Sequence, residues 1–202
     1  WEAAGERFPM LNKPDQSYHG AVWTEAAKPL GPIAYILRAR VILLRDFGSA
    51  MSPFNAFTFI QGLETLPLRM QRHCENAEKV ADYLDGHTKV EKVIYPKLMS
   101  GTHRERADKY MSGGFGSLLG FELRDGEEAG KKFIDNLKLL YHVANIGDAR
   151  SLAIHPASTT HSQLSDDEKI SSGVTPGYVR LSIGIEHIDD IIEDLDQALK
   201  KV

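Results

Sequence analysis

Hydrophobic residues recur at helical spacing soon after the start of the chain. Residues 1–32 come first and contain four prolines among glycine, asparagine and aspartate. Since proline lacks a backbone donor and interrupts helices, this stretch predicts an irregular arm. After Pro32, apolar residues recur at intervals of three and four up to Leu44. That spacing predicts one helix over about 33–46, with Gly48 as its terminator.

A second, longer helical pattern begins at a proline. Ser52 is a favourable cap and Pro53 suits the first helical position, while Gly86 stands where a helix terminator belongs. Pro67 lies inside this stretch and would clash with the preceding turn. The pattern therefore predicts a long helix that Pro67 kinks or divides in two.

Short alternating elements follow, so a domain boundary is expected near residue 80. Helical spacing predicts helices over 102–111, 126–139 and 188–200, and a capping box at Ser165 and Glu168 starts another. The predicted strands are "VEKVIYP", "SLLGFEL", "YHVAN", "SLAIH" and "YVRLSIG". These elements predict an α/β domain with a mostly antiparallel sheet and helices on one face.

Charge and cysteine content narrow the class of protein. Lys and Arg total 24 against 28 Asp and Glu, a formal net charge of −4 without charged blocks, which argues against nucleic-acid or membrane partners. The single cysteine, Cys74, excludes an internal disulfide and is typical of a reducing compartment, so a cytoplasmic protein is expected. The opening "WEAAGERFPM" has no initiator Met, which suggests a start within a longer protein.

One arginine stands out on a predicted strand. In "YVRLSIG", alternation directs Val179 and Leu181 toward the helices and Arg180 to the opposite face. There a guanidinium group can bind a carboxylate through two parallel hydrogen bonds. The alternative is a solvated or salt-bridged surface arginine, which spacing alone favours.

The segment "SLAIHPASTTH", residues 151–161, concentrates histidines and hydroxyl groups. Neither metal-ligand spacing nor an orienting acid for a Ser-His pair accompanies His155 and His161, so a loop organised by hydroxyl-to-backbone hydrogen bonds is favoured. "GGFG", residues 113–116, lacks the context of a phosphate-binding loop and predicts a turn. Composition and spacing alone reveal no complete catalytic site.

Three long stretches resemble a known family. They are "SPFNAFTFIQGLETLPLRMQRHCENA", "NIGDARSLAIHPASTTH" and "GYVRLSIGIE". Together they are similar to the C-terminal half of the Cys/Met-metabolism enzymes that use pyridoxal phosphate (PLP), and specifically to the O-acetylhomoserine sulfhydrylase branch. The resemblance covers nearly the whole chain. It implies the C-terminal small domain of a fold type I PLP enzyme at residues 81–202, preceded by residues 1–80 as the tail of the large domain with a long connecting helix.

The resemblance also assigns roles to residues. Arg180 matches the family arginine that binds the substrate carboxylate, and Asn145 matches a position beside the same carboxylate. Ser151 and Thr160 match positions on the active-site side of the small domain, which makes all four expected substrate-binding residues. The cofactor lysine would lie before Trp1, so no catalytic, cofactor-binding or metal-binding residue is expected in this chain, and the fragment alone should be inactive.

The expected parent is a transferase of methionine biosynthesis. By resemblance it would convert O-acetylhomoserine and sulfide, or a thiol, to homocysteine or methionine and acetate, with PLP as cofactor, as a homodimer or homotetramer. A γ-lyase or a cystathionine synthase of the same family is an alternative. A free-standing amino-acid-binding regulatory module is another, although such a module would start near residue 85 and would not need the preceding arm and helix.

Overall fold

The chain forms two compact units in the computed structural model, which describes residues 1–202. Residues 1–61 make up the first unit and residues 62–202 the second. This division by contacts falls earlier than residue 80, because the helix that contains residues 66–85 buries one face against the sheet of the second unit. The assignment of residues 1–80 to a larger domain concerns a longer protein and stays a prediction.

The first unit consists of short helices rather than the irregular arm that its prolines predicted. Leu11, Trp23 and Ala34 lie at the centre of its small apolar core. Pro9 and Pro29 are tolerated because they lie in the first turns of short helices, where no backbone donor is needed, and Pro14 and Pro32 lie between helices. Its helices are α1 (Pro9–Asn12), α2 (Trp23–Ala27), α3 (Ala34–Arg38) and α4 (Arg45–Phe47), with 3₁₀ turns at Glu2–Ala4, Gln16–Tyr18 and Lys28–Leu30.

The helix predicted over 33–46 is confirmed. A π-helical segment, Ala39–Leu44, joins α3 to α4, so that the helical backbone runs from residue 34 to 47. Gly48 ends it with a φ of 64°, the left-handed conformation that glycine adopts without a steric penalty.

Asp15 organises the first unit. Its carboxylate accepts hydrogen bonds from Ser17, from Trp23 Nε1 at 2.9 Å and from Arg38 Nε at 3.2 Å. These donors, those of Ser17 foremost, stabilise the charged form and lower the pKa of Asp15 from 3.8 to about 2. The carboxylate therefore connects Trp23, the first residue of α2, to Arg38, the last residue of α3.

The long helical stretch is divided at its proline, as predicted. Helix α5 (Pro53–Glu64) and helix α6 (Leu66–Asp85) meet at Thr65, and Pro67 lies in the first turn of α6. Ser52 Oγ accepts a hydrogen bond from the Asn55 amide at 3.1 Å, which confirms the predicted cap. Helix α6 buries seven residues, whereas α5 buries none.

The second unit contains one five-stranded sheet with the order β1-β2-β5-β4-β3. The pairs β1-β2, β2-β5 and β5-β4 are antiparallel, and β3-β4 is parallel. The strands are β1 (Val90–Ile94), β2 (Leu118–Leu123), β3 (Tyr141–His142), β4 (Leu152–Ile154) and β5 (Tyr178–Ser182), and the further helices are α7 (Gly101–Tyr110), α8 (Gly126–Asn136), α9 (Asp166–Ser171) and α10 (Ile188–Leu199). Short 3₁₀ turns occur at Pro96–Leu98 and Pro156–Ser158. This is the mixed α/β architecture expected from the sequence.

Two predicted elements are shorter than expected. Helix α8 ends at Asn136 instead of 139, because the amides of Lys138, Leu139 and Leu140 donate to the buried Asp194 carboxylate rather than to helical carbonyls. Of the strand predicted at "YHVAN", only the residues of β3 pair with a neighbouring strand. The chain then leaves the sheet, and residues 143–151 form a loop that leads to β4. Residues 143–151 thus connect two parallel neighbouring strands, β3 and β4.

The core lies between the sheet and helices α6, α8 and α10. Val179 and Leu181 of β5 and Phe121 of β2 are completely buried there. Phe121 meets Phe133 of α8 edge to face, with ring centroids 5.4 Å apart. Because side chains alternate along a strand, the even-numbered residues of β5 point to the other face. The core packing therefore determines the direction of Arg180.

Candidate functional site

Arg180 lies in the middle of β5, on the sheet face opposite the core. Its neighbours Val179 and Leu181 are fully buried, whereas Arg180 is half-buried. The guanidinium group makes one side-chain hydrogen bond, from Nη2 to the Asn145 carbonyl at 3.4 Å, and takes part in no ion pair. Several of its N–H groups are therefore free to bind an anion.

A cavity of about 300 Å³ adjoins Arg180. Tyr178 lies against Gly120. A Cβ atom at position 120 would come within 2.4 Å of the tyrosine ring, so glycine at this position leaves room for the ring. Burial raises the pKa of Tyr178. The other lining residues are Ile94, Tyr95, Pro96, Met99, Leu118 and Leu119. Arg180 is thus the charged group in a largely apolar recess.

The loop over residues 143–151 runs alongside the end of β5. Besides the contact between Arg180 and Asn145, the Gly147 amide donates to Ser182 Oγ at 3.2 Å. Further along, the Ile185 amide donates to the Ala149 carbonyl at 2.9 Å. The loop is therefore attached to the β5 segment at successive points, and it carries the exposed Asn145 to the position of Arg180.

Ser151, the last residue of this loop, is also hydrogen-bonded to the segment that follows β5. It is completely buried, and its amide and hydroxyl donate to the Glu186 carboxylate at 2.6 and 2.9 Å. Its hydroxyl also accepts from the Gly184 amide at 2.8 Å. The substrate contact predicted for Ser151 stays a prediction, and the structure gives its hydroxyl a set of partners inside the protein.

Asn76 of α6 completes the same network. Its Nδ2 donates to the carbonyls of Gly184 and Glu186 at 3.0 and 2.9 Å. A Cβ atom on Gly184 would lie 2.3 Å from Glu186 Oε2 and 2.5 Å from the Ala149 carbonyl, so only glycine fits. The sequence patterns do not single out Glu186 or Asn76. The available signal is a carboxylate four residues beyond the end of β5.

The histidines of residues 151–161 have hydrogen-bonding partners inside the protein. The buried His155 packs against Gly130, and its ring nitrogens lie 2.8 Å from Ser158 Oγ and 2.7 Å from the Pro176 carbonyl. Thr160 is exposed, with Oγ1 2.9 Å from His161 Nδ1, and is not among the residues that line the cavity beside Arg180. The structure therefore brings the Asn145 carbonyl to Arg180, but Asn145, Ser151 and Thr160 are not among the residues that line that cavity.

Within residues 1–202, no three His, Cys, Asp or Glu side chains come together in a way that could hold a metal ion. None of the helices has the length and apolar character needed to cross a bilayer.

Comparison with known proteins decides the family. The family model described as Cys/Met metabolism PLP-dependent enzyme matches residues 16–200. The chain belongs to this family. The chain is also similar to an O-acetyl-L-homoserine sulfhydrylase from Leptospira meyeri, 54% identical over 202 residues, and to a homocysteine synthase from Schizosaccharomyces pombe, 47% identical over 200 residues. The matches cover 97% and 99% of this chain but 46% of each relative.

A solved structure agrees with the family assignment. A Campylobacter jejuni protein described as an O-acetylhomoserine (thiol)-lyase, whose crystal structure contains a pyridoxyl-lysine phosphate, superposes with a TM-score of 0.82 at 43% identity. The superposition covers 96% of this chain and 45% of that protein. The chain therefore spans about half the length of the relatives it matches.

The residues beside Arg180 do not form a PLP site by themselves. Covalent attachment of PLP needs a lysine, and a carboxylate usually pairs with the pyridinium nitrogen. The cavity beside Arg180 has neither among its lining residues.

Proposed function

We propose that this chain is the C-terminal, substrate-binding part of a PLP-dependent O-acetylhomoserine sulfhydrylase. The whole enzyme would convert O-acetylhomoserine and sulfide, or a thiol, to homocysteine or methionine and acetate. The observation that carries the proposal is the half-buried Arg180, with unpaired N–H groups in an apolar recess. The relatives named for this activity support the choice of substrate.

The role of Arg180 follows from its chemistry. A guanidinium group binds a carboxylate with two parallel hydrogen bonds, and apolar walls strengthen such a pair by excluding water. Its bond to the Asn145 carbonyl restrains the side chain on one side, so that the other N–H groups face a bound amino acid. This would hold the substrate by its α-carboxylate, and such positioning is worth several kcal/mol of the reaction barrier.

The domain organisation is part of the proposal. Residues 81–202 would be the small domain, and residues 1–80 the tail of the large domain with its connecting helix. The chain alone would lack activity, since the lysine that binds the cofactor belongs to the part that it does not contain. We also propose that the whole enzyme is a homo-oligomer and that it is cytoplasmic. The free, buried Cys74 agrees with the cytoplasmic location, where thiols stay reduced.

The family assignment bears on the alternatives. A γ-lyase or a cystathionine synthase would share the carboxylate site, but the relatives named above are a sulfhydrylase and a homocysteine synthase. A free-standing regulatory module is not favoured, because the family match includes residues 16–85, which such a module would not need.

The test is a chimeric enzyme in which this chain replaces the matching part of the Leptospira meyeri sulfhydrylase. Arg180→Ala should raise the KM for O-acetylhomoserine at least roughly 100-fold, since two charge-assisted hydrogen bonds are lost, each worth about 1.5–3 kcal/mol. Arg180→Lys should recover only part of this loss, because lysine cannot bind a carboxylate in the same two-pronged way.

The matched control is Arg106→Ala, which changes an exposed arginine of α7 that has no hydrogen-bonding or ionic partner. It should leave KM and kcat unchanged. An unchanged KM in Arg180→Ala would remove Arg180 from the substrate site. An inactive chimera with intact cofactor absorbance would refute the proposed reaction.

A further inference from the structure

Two polar residues of α6 are buried almost completely. His73 and Asn76 are three residues apart, so both side chains lie on the same face of the helix. Their exposed fractions are 1% and 0%. Polar side chains that are buried to this extent are usually explained by the hydrogen bonds that they make.

Both side chains donate to the segment that follows β5. His73 Nδ1 lies 2.6 Å from the Ile183 carbonyl and carries the hydrogen of this bond, because a carbonyl oxygen can only accept. Asn76 Nδ2 donates to the carbonyls of Gly184 and Glu186 at 3.0 and 2.9 Å. Helix α6 therefore holds this segment at three carbonyls.

The segment that follows β5 also binds the loop over residues 143–151. Its amides donate at 2.8 Å to Ser151 Oγ and at 2.9 Å to the Ala149 carbonyl. The same loop brings the Asn145 carbonyl to 3.4 Å from Arg180 Nη2. A series of hydrogen-bonded segments thus leads from α6 to the predicted substrate-binding arginine.

We propose that His73 and Asn76 are positioning residues for the substrate carboxylate. By fixing the backbone after β5, they hold the loop that restrains Arg180, so that the remaining N–H groups of the arginine keep the direction in which a carboxylate binds them. Neither residue lines the recess beside Arg180, so both act through the loop. This inference rests on the proposed function, because it needs Arg180 to bind the substrate.

The hydrogen bonds of this pair provide direction rather than the largest possible stability. His73 Nε2 and Asn76 Oδ1 are buried without a partner in the chain, which offsets part of the energy that the donors contribute. Hydrogen bonds fix the positions of the atoms that they join, whereas apolar contacts are not directional. A polar pair at this place is therefore suited to setting the path of the backbone.

The experiment uses the chimeric enzyme and two substitutions of His73. Leucine removes the donor, whereas asparagine has an amide N–H close to the position of Nδ1. His73→Leu should lower kcat/KM for O-acetylhomoserine roughly fivefold, because one hydrogen bond that holds the loop is lost, and should leave kcat/KM for sulfide unchanged. His73→Asn should restore most of the loss.

A double-mutant cycle tests whether the effect passes through Arg180. When Arg180→Ala is already present, His73→Leu should change kcat/KM for O-acetylhomoserine less than about twofold, because the group that it positions is absent.

Hydrogen exchange provides a measurement that does not depend on activity. Peptides from residues 143–151 should exchange faster in His73→Leu than in the parent chimera. Asn76→Ala removes the other donors of the pair and should give the same result, so it replaces His73→Leu if that variant does not fold.

The matched control is Tyr83→Phe. Tyr83 also lies on α6, and its hydroxyl donates to Asp196 Oδ1 of α10 at 3.1 Å. The control therefore removes one hydrogen bond of the same helix without affecting the segment that follows β5. It should leave the exchange of the loop and kcat/KM for both substrates unchanged.

Three results would overturn the positioning role. Exchange of the loop could be unaltered in His73→Leu and Asn76→Ala, kcat/KM could fall equally for both substrates, or His73→Leu could have the same effect with and without Arg180. An unaltered kcat/KM in Arg180→Ala would instead overturn the proposed function, and with it the role of the pair in substrate binding. The exchange measurement would then still show whether the pair holds the loop.

Discussion

Removal of the Glu186 carboxylate tests the attachment of the loop over residues 143–151. In Glu186→Ala the amide and hydroxyl of the buried Ser151 lose acceptors at 2.6 and 2.9 Å. Hydrogen bonds to a charged group contribute about 1.5–3 kcal/mol each, and the variant no longer has to order the glutamate side chain, which costs up to about 2 kcal/mol of rotamer entropy. The free energy of unfolding should therefore fall by about 1–4 kcal/mol.

Urea denaturation followed by circular dichroism measures this change. Hydrogen exchange locates it: the Gly147 and Ile185 amides, which connect the loop to β5, should exchange faster in the variant. Glu193→Ala is the matched control, because Glu193 is exposed on α10 without a partner, and it should change stability by less than about 0.5 kcal/mol. Equal stability of the two variants, or unaltered exchange of both amides, would show that Glu186 does not hold the loop.

Two further predictions concern carboxylates in other parts of the chain. Asp15 has a lowered pKa of about 2 in the folded state, so its contribution to stability should be present above about pH 4 and disappear as the pH falls toward 2. Tryptophan fluorescence reports on Trp1 and Trp23 of the first unit and can follow its unfolding during acid titration. The stability of Asp15→Asn should not change with pH in this range, and an equal pH dependence of stability in both proteins would contradict the prediction. Asp194→Ala removes the acceptor of three backbone amides and should lower the urea unfolding free energy by about 3 kcal/mol, and a loss below about 1 kcal/mol would show that water replaces the carboxylate.

Arg180 and Asn145 stay predicted substrate-binding residues. Arg180 was selected from the alternation of one strand, and the structure places it in a recess with Asn145 beside it. The resemblance also named Ser151 and Thr160, but the structure gives Ser151 internal partners and leaves Thr160 exposed. These two assignments remain predictions that a substrate complex would test.

The sequence by itself determined the elements whose signals are local. Gly48 and Pro67 end or divide helices through their own backbone chemistry, and Ser52 caps α5 across three residues. Alternation along β5 predicted the face of Arg180, because successive side chains in a strand point in opposite directions.

Only the tertiary structure decided the features that join distant parts of the chain. Asp194 ends α8 from more than 50 residues away, and Glu186 holds Ser151 across 35 residues. The short helices of residues 1–32 likewise depend on the apolar core around Trp23. Such contacts form only when the fold brings the partners together. Hydrophobic periodicity predicts the face on which a residue lies, but it does not predict which distant residue it contacts.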